Sequence, residues 1–181
     1  MRLWLALLLL VAAAQIVVPA SIIVDRELTL ANGRPFKLRT APVDPVDAFR
    51  GRYVWLAFEI QDYETSTQYE HGDRLHAVLR ENDEGFAEIA RLSREPVDGD
   101  SALWVTVQYP AENRVRLELP FDRFYLDERD APRAERAVRE ASFGDSIDAS
   151  AAVRIRGNSA VLEQLYLGER TVYEYLREHS E

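Results

Sequence analysis

The sequence contains no cysteine and has few lysine, histidine and methionine residues. Without cysteine the chain cannot form disulfides, thiolate metal sites or a cysteine nucleophile. Lys37 is the only lysine among the 22 lysine and arginine residues, so a serine–lysine catalytic pair has one candidate base. Ser21, the first serine of the chain, lies inside an apolar segment, and no nucleophile-elbow motif is present.

Positive charge is also scarce relative to negative charge. The 22 basic residues are outnumbered by 31 aspartate and glutamate residues, which gives a formal net charge of -9 at pH 7. An acidic surface repels the phosphates of nucleic acids and gives no electrostatic attraction to anionic lipid. The composition therefore argues against a nucleic-acid partner.

A long apolar segment opens the chain. Residues 3–24 form, as a helix, a rod long enough to cross a hydrocarbon core about 30 Å thick. Arg2 is the only charged residue before Asp25, and the positive-inside rule therefore places the N-terminus in the cytoplasm. We expect a transmembrane anchor over residues 1–24 and one domain over residues 25–181 outside the cytoplasm.

Two other interpretations of the apolar segment remain open. A secretory signal peptide would be cleaved after Ala20, although the apolar stretch continues to Val24 and exceeds the usual length of about 7–15 residues. A buried core helix of a soluble protein usually carries more polar residues over this length. We favour the permanent anchor.

The rest of the chain is typical of short strands separated by turns. We expect the first helix to continue to about Leu30 and to stop at Asn32-Gly33, followed by a strand over 36–40. The alternative is a β-hairpin around Asn32-Gly33, which Pro35 disfavours. Residues 51–60 are apolar on both faces near their start, so this strand is predicted to be central in a sheet. Further strands are predicted at 75–80, 86–92, 103–109, 115–119, 121–126, 152–156 and 160–167.

Two helices are predicted in the second half of the domain. Asp130 is a candidate N-cap, with Ala134, Val138 and Ala141 on one face and Gly144 past the end. Residues 170–179 are interpreted as a terminal helix, and a strand over residues 171–176 is the alternative. The fold class is therefore α+β, with an N-terminal transmembrane helix and one mainly antiparallel β domain, closing toward a barrel or sandwich, with one or two helices.

Histidine and acidic residues provide the remaining candidate chemistry. His71, Asp73 and His76 form an H-x-D-x-x-H pattern, which matches no established metal spacing and is interpreted as exposed loop residues. The carboxylates around Asp127 and Asp130 are suited to acid–base work or to binding Ca²⁺, and we interpret them as solvated loops. We predict no catalytic residue, no cofactor and no metal site.

Aromatic residues form a second candidate group. Six of the aromatic residues are singled out and are predicted to lie in the core, where aromatic side chains are usually buried; the alternative is a ligand platform. The six are Tyr53, Trp55, Trp104, Phe121, Phe124 and Tyr125.

Residues before and within the predicted 51–60 strand have expected structural roles of their own. Gly51 permits a tight entry into the strand, and Leu56 and Phe58 are predicted to point into a core. Arg50 is close in sequence to Asp44 and Asp47, so these three residues are expected to form ion pairs that fix the joint between helix and sheet.

These residues carry a resemblance to a bacterial family named for its motif, GDYXXLXY. Its motif corresponds to residues 51–58, and its preceding "PVDPRDLFRG" stretch is similar to residues 42–51. Residues 123–128, RFYLDE, resemble its "RYFVPEG" region. Arg52 replaces the motif aspartate and Phe58 replaces the last tyrosine, so a cation-binding role of that aspartate is lost in this chain.

The resemblance implies a membrane helix followed by one extracytoplasmic domain, and the family carries no assigned activity. The motif and interaction candidates are Asp44, Asp47, Arg50, Gly51, Arg52, Tyr53, Leu56, Phe58, Arg123, Tyr125 and Glu128. We therefore expect a non-catalytic, single-pass protein of the bacterial inner membrane, whose domain in the periplasm or outside binds another membrane or envelope protein. An envelope hydrolase and a small-ligand binding domain, with a pocket near Trp55 or Trp104, are the alternatives.

Overall fold

The computed structural model describes residues 2–42, 53–97, 99, 101–143 and 148–179. Within these ranges the helices are α1 (Arg2–Asn32), α2 (Ala131–Phe143) and α3 (Val172–Glu178), and Glu59–Gln61 form a 3-10 turn. The strands are β1 (Arg34–Ala41), β2 (Tyr53–Trp55), β3 (Ala57–Phe58), β4 (Asp62–Glu64), β5 (Arg74–Glu81), β6 (Ala87–Ser93), β7 (Ala102–Pro110), β8 (Arg114–Glu118), β9 (Arg123–Tyr125), β10 (Ala149–Arg156), β11 (Ser159–Leu167) and β12 (Arg170–Thr171).

α1 is an apolar helix that the described chain leaves uncovered over its most apolar part. The section Leu7–Asn32 contains a window with a mean hydropathy of 2.6, and none of that window is buried. Ile16, for example, keeps 72% of its surface exposed. By length and composition this helix can span a membrane once, a property that a signal sequence shares. The interpretation as a buried core helix is wrong, because the described residues bury none of this apolar window.

The end of α1 is set by a close contact with the sheet. The helix stops at Asn32 as predicted, and the N–H of Gly33 donates to the carbonyl of Thr29 at 2.8 Å. A Cβ atom at position 33 would collide with that carbonyl oxygen and would lie 3.1 Å from the N and O of Ile155. Only glycine therefore fits between α1 and β10. The predicted strand over 36–40 lies within β1.

Two five-stranded sheets and a two-stranded ribbon make up the β domain. The first sheet has the order β12-β11-β10-β1-β3, the second has the order β4-β8-β7-β5-β6, and β2 pairs with β9. Every described pairing is antiparallel. Buried side chains of both sheets, the ribbon and α2 belong to one hydrophobic core.

The predicted α+β class is confirmed. The strands expected at 75–80, 86–92, 103–109, 115–119, 121–126, 152–156 and 160–167 are confirmed as β5 to β11.

The prediction of one central strand over 51–60 is wrong for the described part of that range. The chain forms β2, leaves it at Leu56, and continues as β3 at the edge of the first sheet. The N–H of Leu56 donates to the carbonyl of Asp122 at 2.8 Å, outside both pairings. The predicted inward face is nevertheless confirmed, because Val54, Leu56 and Phe58 are each at most 2% exposed.

α2 and α3 pack beside the sheets in the second half of the chain. The Asp130 carbonyl accepts the N–H of Ala134 at 2.8 Å, which places Asp130 at the predicted N-cap position. Ala134 and Val138 are buried, as their spacing predicted. The guanidinium of Arg133 donates to the carbonyl of Leu176 at 2.9 Å and so ties α2 to the last turn of α3. The predicted terminal helix is α3, preceded by the short strand β12.

Candidate functional site

The ribbon formed by β2 and β9 presents the sequence motif on two different faces. Its register pairs Tyr53 with Tyr125, Val54 with Phe124, and Trp55 with Arg123. Because neighbouring residues of a strand point to opposite faces, the central pair lies on one side and the outer two pairs on the other. The inner face is buried: Val54 is 1% exposed and Phe124 is 7% exposed.

The inner face rests on the helical part of the domain. β2 contacts α2, and the ring of Phe124 lies 6.3 Å from the ring of Tyr173 in α3. Val54, Phe124 and the buried face of α2 belong to the same hydrophobic core. The ribbon is therefore backed by packed side chains, which fixes the positions of the residues on its outer face.

The outer face carries three aromatic rings around one arginine. The rings of Tyr53 and Tyr125 meet edge to face with their centroids 5.8 Å apart. Cζ of Arg123 lies 5.2 Å from the centroid of the Tyr53 ring and 5.1 Å from that of the Trp55 ring. We call this set, Tyr53, Trp55, Arg123 and Tyr125, the aromatic–arginine surface. Trp55 is 49% exposed and Tyr125 is 66% exposed.

The charge of the surface comes from Arg123. Its Nε lies 3.4 Å from a carboxylate oxygen of Asp122, so the guanidinium is partly neutralised while it contacts the two rings. Guanidinium–ring contacts of this kind hold the arginine flat on the aromatic residues and leave its outer N–H groups available. The surface therefore offers apolar area together with hydrogen-bond donors. Such a mixture suits recognition of a macromolecule better than acid–base chemistry.

The structure brings together three of the predicted interaction candidates. Tyr53, Arg123 and Tyr125 meet on the aromatic–arginine surface, whereas Leu56 and Phe58 are buried in the core. Glu128 lies in the turn between β9 and α2. The remaining candidates fall outside the described residues: Asp44, Asp47, Arg50, Gly51 and Arg52. The predicted ion pairs among Asp44, Asp47 and Arg50 lie outside these ranges too.

The prediction that the aromatic residues are core residues is only partly correct. Phe124 is buried, and Tyr53, Trp104 and Phe121 are half-buried. Trp55 and Tyr125 are exposed, so the prediction is wrong for both, and Trp55 was absent from the interaction candidates. Alternation places Trp55 on the face opposite to Val54 and Leu56, but it does not tell whether another element covers that face.

The three residues of the H-x-D-x-x-H pattern lie in different environments. His71 is exposed, and its Nδ1 lies 2.7 Å from the carbonyl oxygen of Gln108. Asp73 accepts hydrogen bonds from the N–H of Glu70 and from Arg94, which hold the pKa of its carboxyl below its usual range. His76 is 1% exposed, so its interpretation as an exposed loop residue is wrong. It lies in β5, with its ring centroid 3.9 Å from that of Trp104.

The other candidate groups are engaged locally. Nζ of Lys37 lies 4.9 Å from the centroid of the Phe86 ring, and Oγ of Ser21 donates to the Val18 carbonyl at 2.7 Å. The Asp130 carboxylate lies 3.5 Å from the guanidinium of Arg133. Among the described residues, no three histidine or acidic side chains converge as they would around a metal ion.

Open grooves are found on the surface of the described residues. One, of about 500 Å³, lies on the first sheet near Phe36, Lys37 and Tyr166. The second, of about 460 Å³, lies between α1 and the start of β11. Neither groove is lined by Trp55 or Trp104, the tryptophans around which a ligand pocket was an alternative prediction.

Comparison with known proteins gives one positive finding. The family model described as GDYXXLXY protein matches residues 15–165, which run from the middle of α1 into β11 and include the ribbon. No curated protein and no solved structure matches the chain.

Proposed function

The chain belongs to the GDYXXLXY family, which has no assigned activity, and from this premise we propose that it is a membrane-anchored adaptor. In this proposal α1 stays in the bacterial inner membrane with the N-terminus in the cytoplasm. The domain of residues 25–181 lies in the periplasm or outside the cell. It binds another membrane or envelope protein through the aromatic–arginine surface.

The anchor is supported by the geometry of α1. The helix is long and apolar enough to cross a bilayer once, and the described residues leave its apolar side chains uncovered, a property that a signal sequence shares. Bilayer hydrocarbon would cover these side chains, which water does not solvate favourably. Sequencing the N-terminus of the mature protein separates an anchor from a cleaved signal peptide, and activity of an alkaline phosphatase fused after Glu181 tests the orientation.

The observation that carries the binding role is the composition of the aromatic–arginine surface. Tryptophan, tyrosine and arginine are the residues most enriched at the energetic centres of protein interfaces. Here they adjoin one another on a face that the inner side of the ribbon holds in place. Exposed aromatic area of this kind is removed from water when a partner binds. An arginine already packed on two rings loses less side-chain freedom on binding.

The chemistry of the surface favours a protein partner. Arg123 would donate to carbonyl or carboxylate oxygens, and the rings of Trp55 and Tyr125 would pack against apolar side chains. The hydrolase and the small-ligand domain remain the alternative functions, and no contact among the described residues favours either of them.

The experiment compares the full chain with two variants in native membranes. After chemical crosslinking, co-purified proteins are quantified for the wild type, for the double variant W55A/R123A, and for Y109A as control. Tyr109 is 64% exposed and lies outside the surface. We expect a defined partner whose recovery falls at least about tenfold in the double variant, since each interface centre contributes about 2 kcal/mol or more. Equal recovery with all three proteins would reject the proposal.

The folding control is the stability of the same variants. Because both substituted side chains are exposed, W55A/R123A should unfold within about 1 kcal/mol of the wild type. A loss of partner together with retained stability assigns the effect to the surface.

A further inference from the structure

The groove between α1 and β11, which we call the anchor cleft, lies where the apolar segment ends. On the α1 side its walls are Ser21, Ile22, Asp25 and Arg26, and on the β11 side they are residues 159–161. The last apolar residue of the segment is Val24, one position before the first acidic residue. If α1 is the anchor, the cleft lies at the level where hydrocarbon gives way to headgroups.

The lining of the anchor cleft combines aliphatic residues from both walls with charged residues of α1. Ile22, Ala160 and Val161 supply aliphatic side chains, and Arg26 supplies a guanidinium. Among the described residues, Arg26 has no hydrogen bond or ion pair. Its charge is therefore available to an anion.

The acidic residue of the cleft, Asp25, already has two hydrogen-bond partners. Oδ1 of Asp25 accepts a hydrogen bond from Nη2 of Arg156 at 2.7 Å, and its Oδ2 accepts one from the hydroxyl of Ser159. An anion placed beside Arg26 therefore meets a carboxylate that is paired with Arg156 and each of whose oxygens already accepts one hydrogen bond. The net acidity of the chain weakens long-range attraction but leaves this local contact intact.

We propose that the anchor cleft binds one glycerophospholipid of the bilayer that α1 enters. The lipid phosphate contacts Arg26, and the first methylene groups of an acyl chain contact Ile22, Ala160 and Val161. This assignment rests on the proposed anchor, since only a permanent span keeps the cleft beside lipid. The assignment extends the anchor proposal, because it places one lipid between α1 and the β domain.

Native mass spectrometry of the full chain tests this proposal. The protein in dodecyl maltoside is titrated with dioleoylphosphatidylglycerol, and the first lipid adduct is quantified for the wild type, R26Q and A160W. Arg139 and Ala90 are exposed residues outside the cleft, so R139Q and A90W serve as matched controls. We expect the dissociation constant of the first lipid to rise about tenfold in R26Q, as one charge-assisted contact is lost, and not in R139Q. A160W should abolish the adduct that A90W keeps.

Two results would overturn the assignment, and they differ in what else they reject. Equal lipid affinity of an intact wild type, R26Q and R139Q rejects the anchor cleft alone. An intact mass that lacks residues 1–20 rejects the permanent anchor and the cleft with it. If A160W does not fold, the R26Q comparison decides by itself, because Arg26 is exposed and its substitution leaves the packing unchanged.

Discussion

The guanidinium of Arg156 lies 2.7 Å from the carboxylate of Asp25, although the two residues are 131 positions apart. This contact joins the first turn of α1 beyond the apolar segment to the end of β10, next to the Gly157 turn. Thr29 is fully buried one turn further along α1, and its hydroxyl donates to the Asp25 carbonyl at 2.8 Å. The Asp25–Arg156 ion pair therefore joins the helix to the sheet before β1 begins.

Asp25→Ala should loosen this attachment. The substitution removes the acceptor of both Arg156 and Ser159, and because the pair is partly exposed we expect a loss of about 1 kcal/mol in the free energy of unfolding. Backbone amides of residues 25–32 should exchange their hydrogens faster, which hydrogen-exchange mass spectrometry measures. The control is Glu27→Ala, which removes an exposed carboxylate two positions further along α1. Equal exchange in both variants would show that the ion pair does not hold the helix.

Gly33→Ala should disturb the same joint more strongly. The added Cβ would collide with the Thr29 carbonyl oxygen and crowd the backbone of Ile155, so α1 and β10 would have to separate. Steric insertions of this kind cost about 1–3 kcal/mol, which for a domain of this size lowers Tm by about 2–12 °C. Asn32→Ala, at the exposed neighbouring position, should change Tm far less. A Tm of Gly33→Ala equal to that of the wild type would contradict the close approach.

His76→Phe should leave the domain as stable as the wild type or more stable. Among the described residues neither ring nitrogen of His76 has a hydrogen-bond partner, and such a buried polar group costs about 1–3 kcal/mol. Phenylalanine keeps a ring against Trp104 without polar atoms, whereas His76→Ala leaves a cavity and should lose about 2 kcal/mol or more. Thermal unfolding followed by tryptophan fluorescence distinguishes the variants. Equal destabilisation by both would mean that the imidazole nitrogens are needed.

Glu174 should make the stability of α3 depend on pH. The hydroxyl and the backbone N–H of Thr171 donate to its carboxylate, and Arg177 and Arg170 add attraction, so its pKa lies below its usual range. A pKa that is lower in the folded state gives a stabilisation that is full above the unfolded value of about 4.3. This stabilisation is lost as the pH falls through the folded value.

The measurement is amide exchange of α3 between pH 3 and pH 6. In the wild type, protection should fall toward the acidic end, and in Glu174→Gln this component of the change should be absent. Glu118→Gln is the control, since Glu118 is an exposed carboxylate of β8. A decline that Glu174→Gln leaves unchanged would place the acid sensitivity elsewhere, for example at Asp73, whose pKa is also lowered.

Local sequence signals were sufficient to predict the positions of most helices and strands. Asn32-Gly33 predicts where α1 ends, and Asp130 predicts where α2 begins. These features depend on a few neighbouring residues. The boundaries of β1, β7 and α2 follow from alternation and capping for the same reason.

The break between β2 and β3 could not be read from the sequence. Alternation over residues 53–58 is the same for one strand as for two, and the break depends on the pairing of Leu56 with the distant residue Asp122. The exposure of Trp55 and Tyr125 is likewise a tertiary property, because alternation assigns them to one face without saying whether anything covers that face. The burial of His76 against Trp104 follows from the pairing of β5 with β7.

The most direct test of the adaptor proposal is photocrosslinking from within the aromatic–arginine surface. A p-benzoylphenylalanine residue replaces Trp55 or, as control, the exposed Tyr109 in the full chain, and intact cells are irradiated. The proposal predicts a discrete adduct, larger than the monomer, from position 55 and not from position 109, which weakens when Arg123→Ala is added. No adduct from position 55, or the same adducts from both positions, would contradict it.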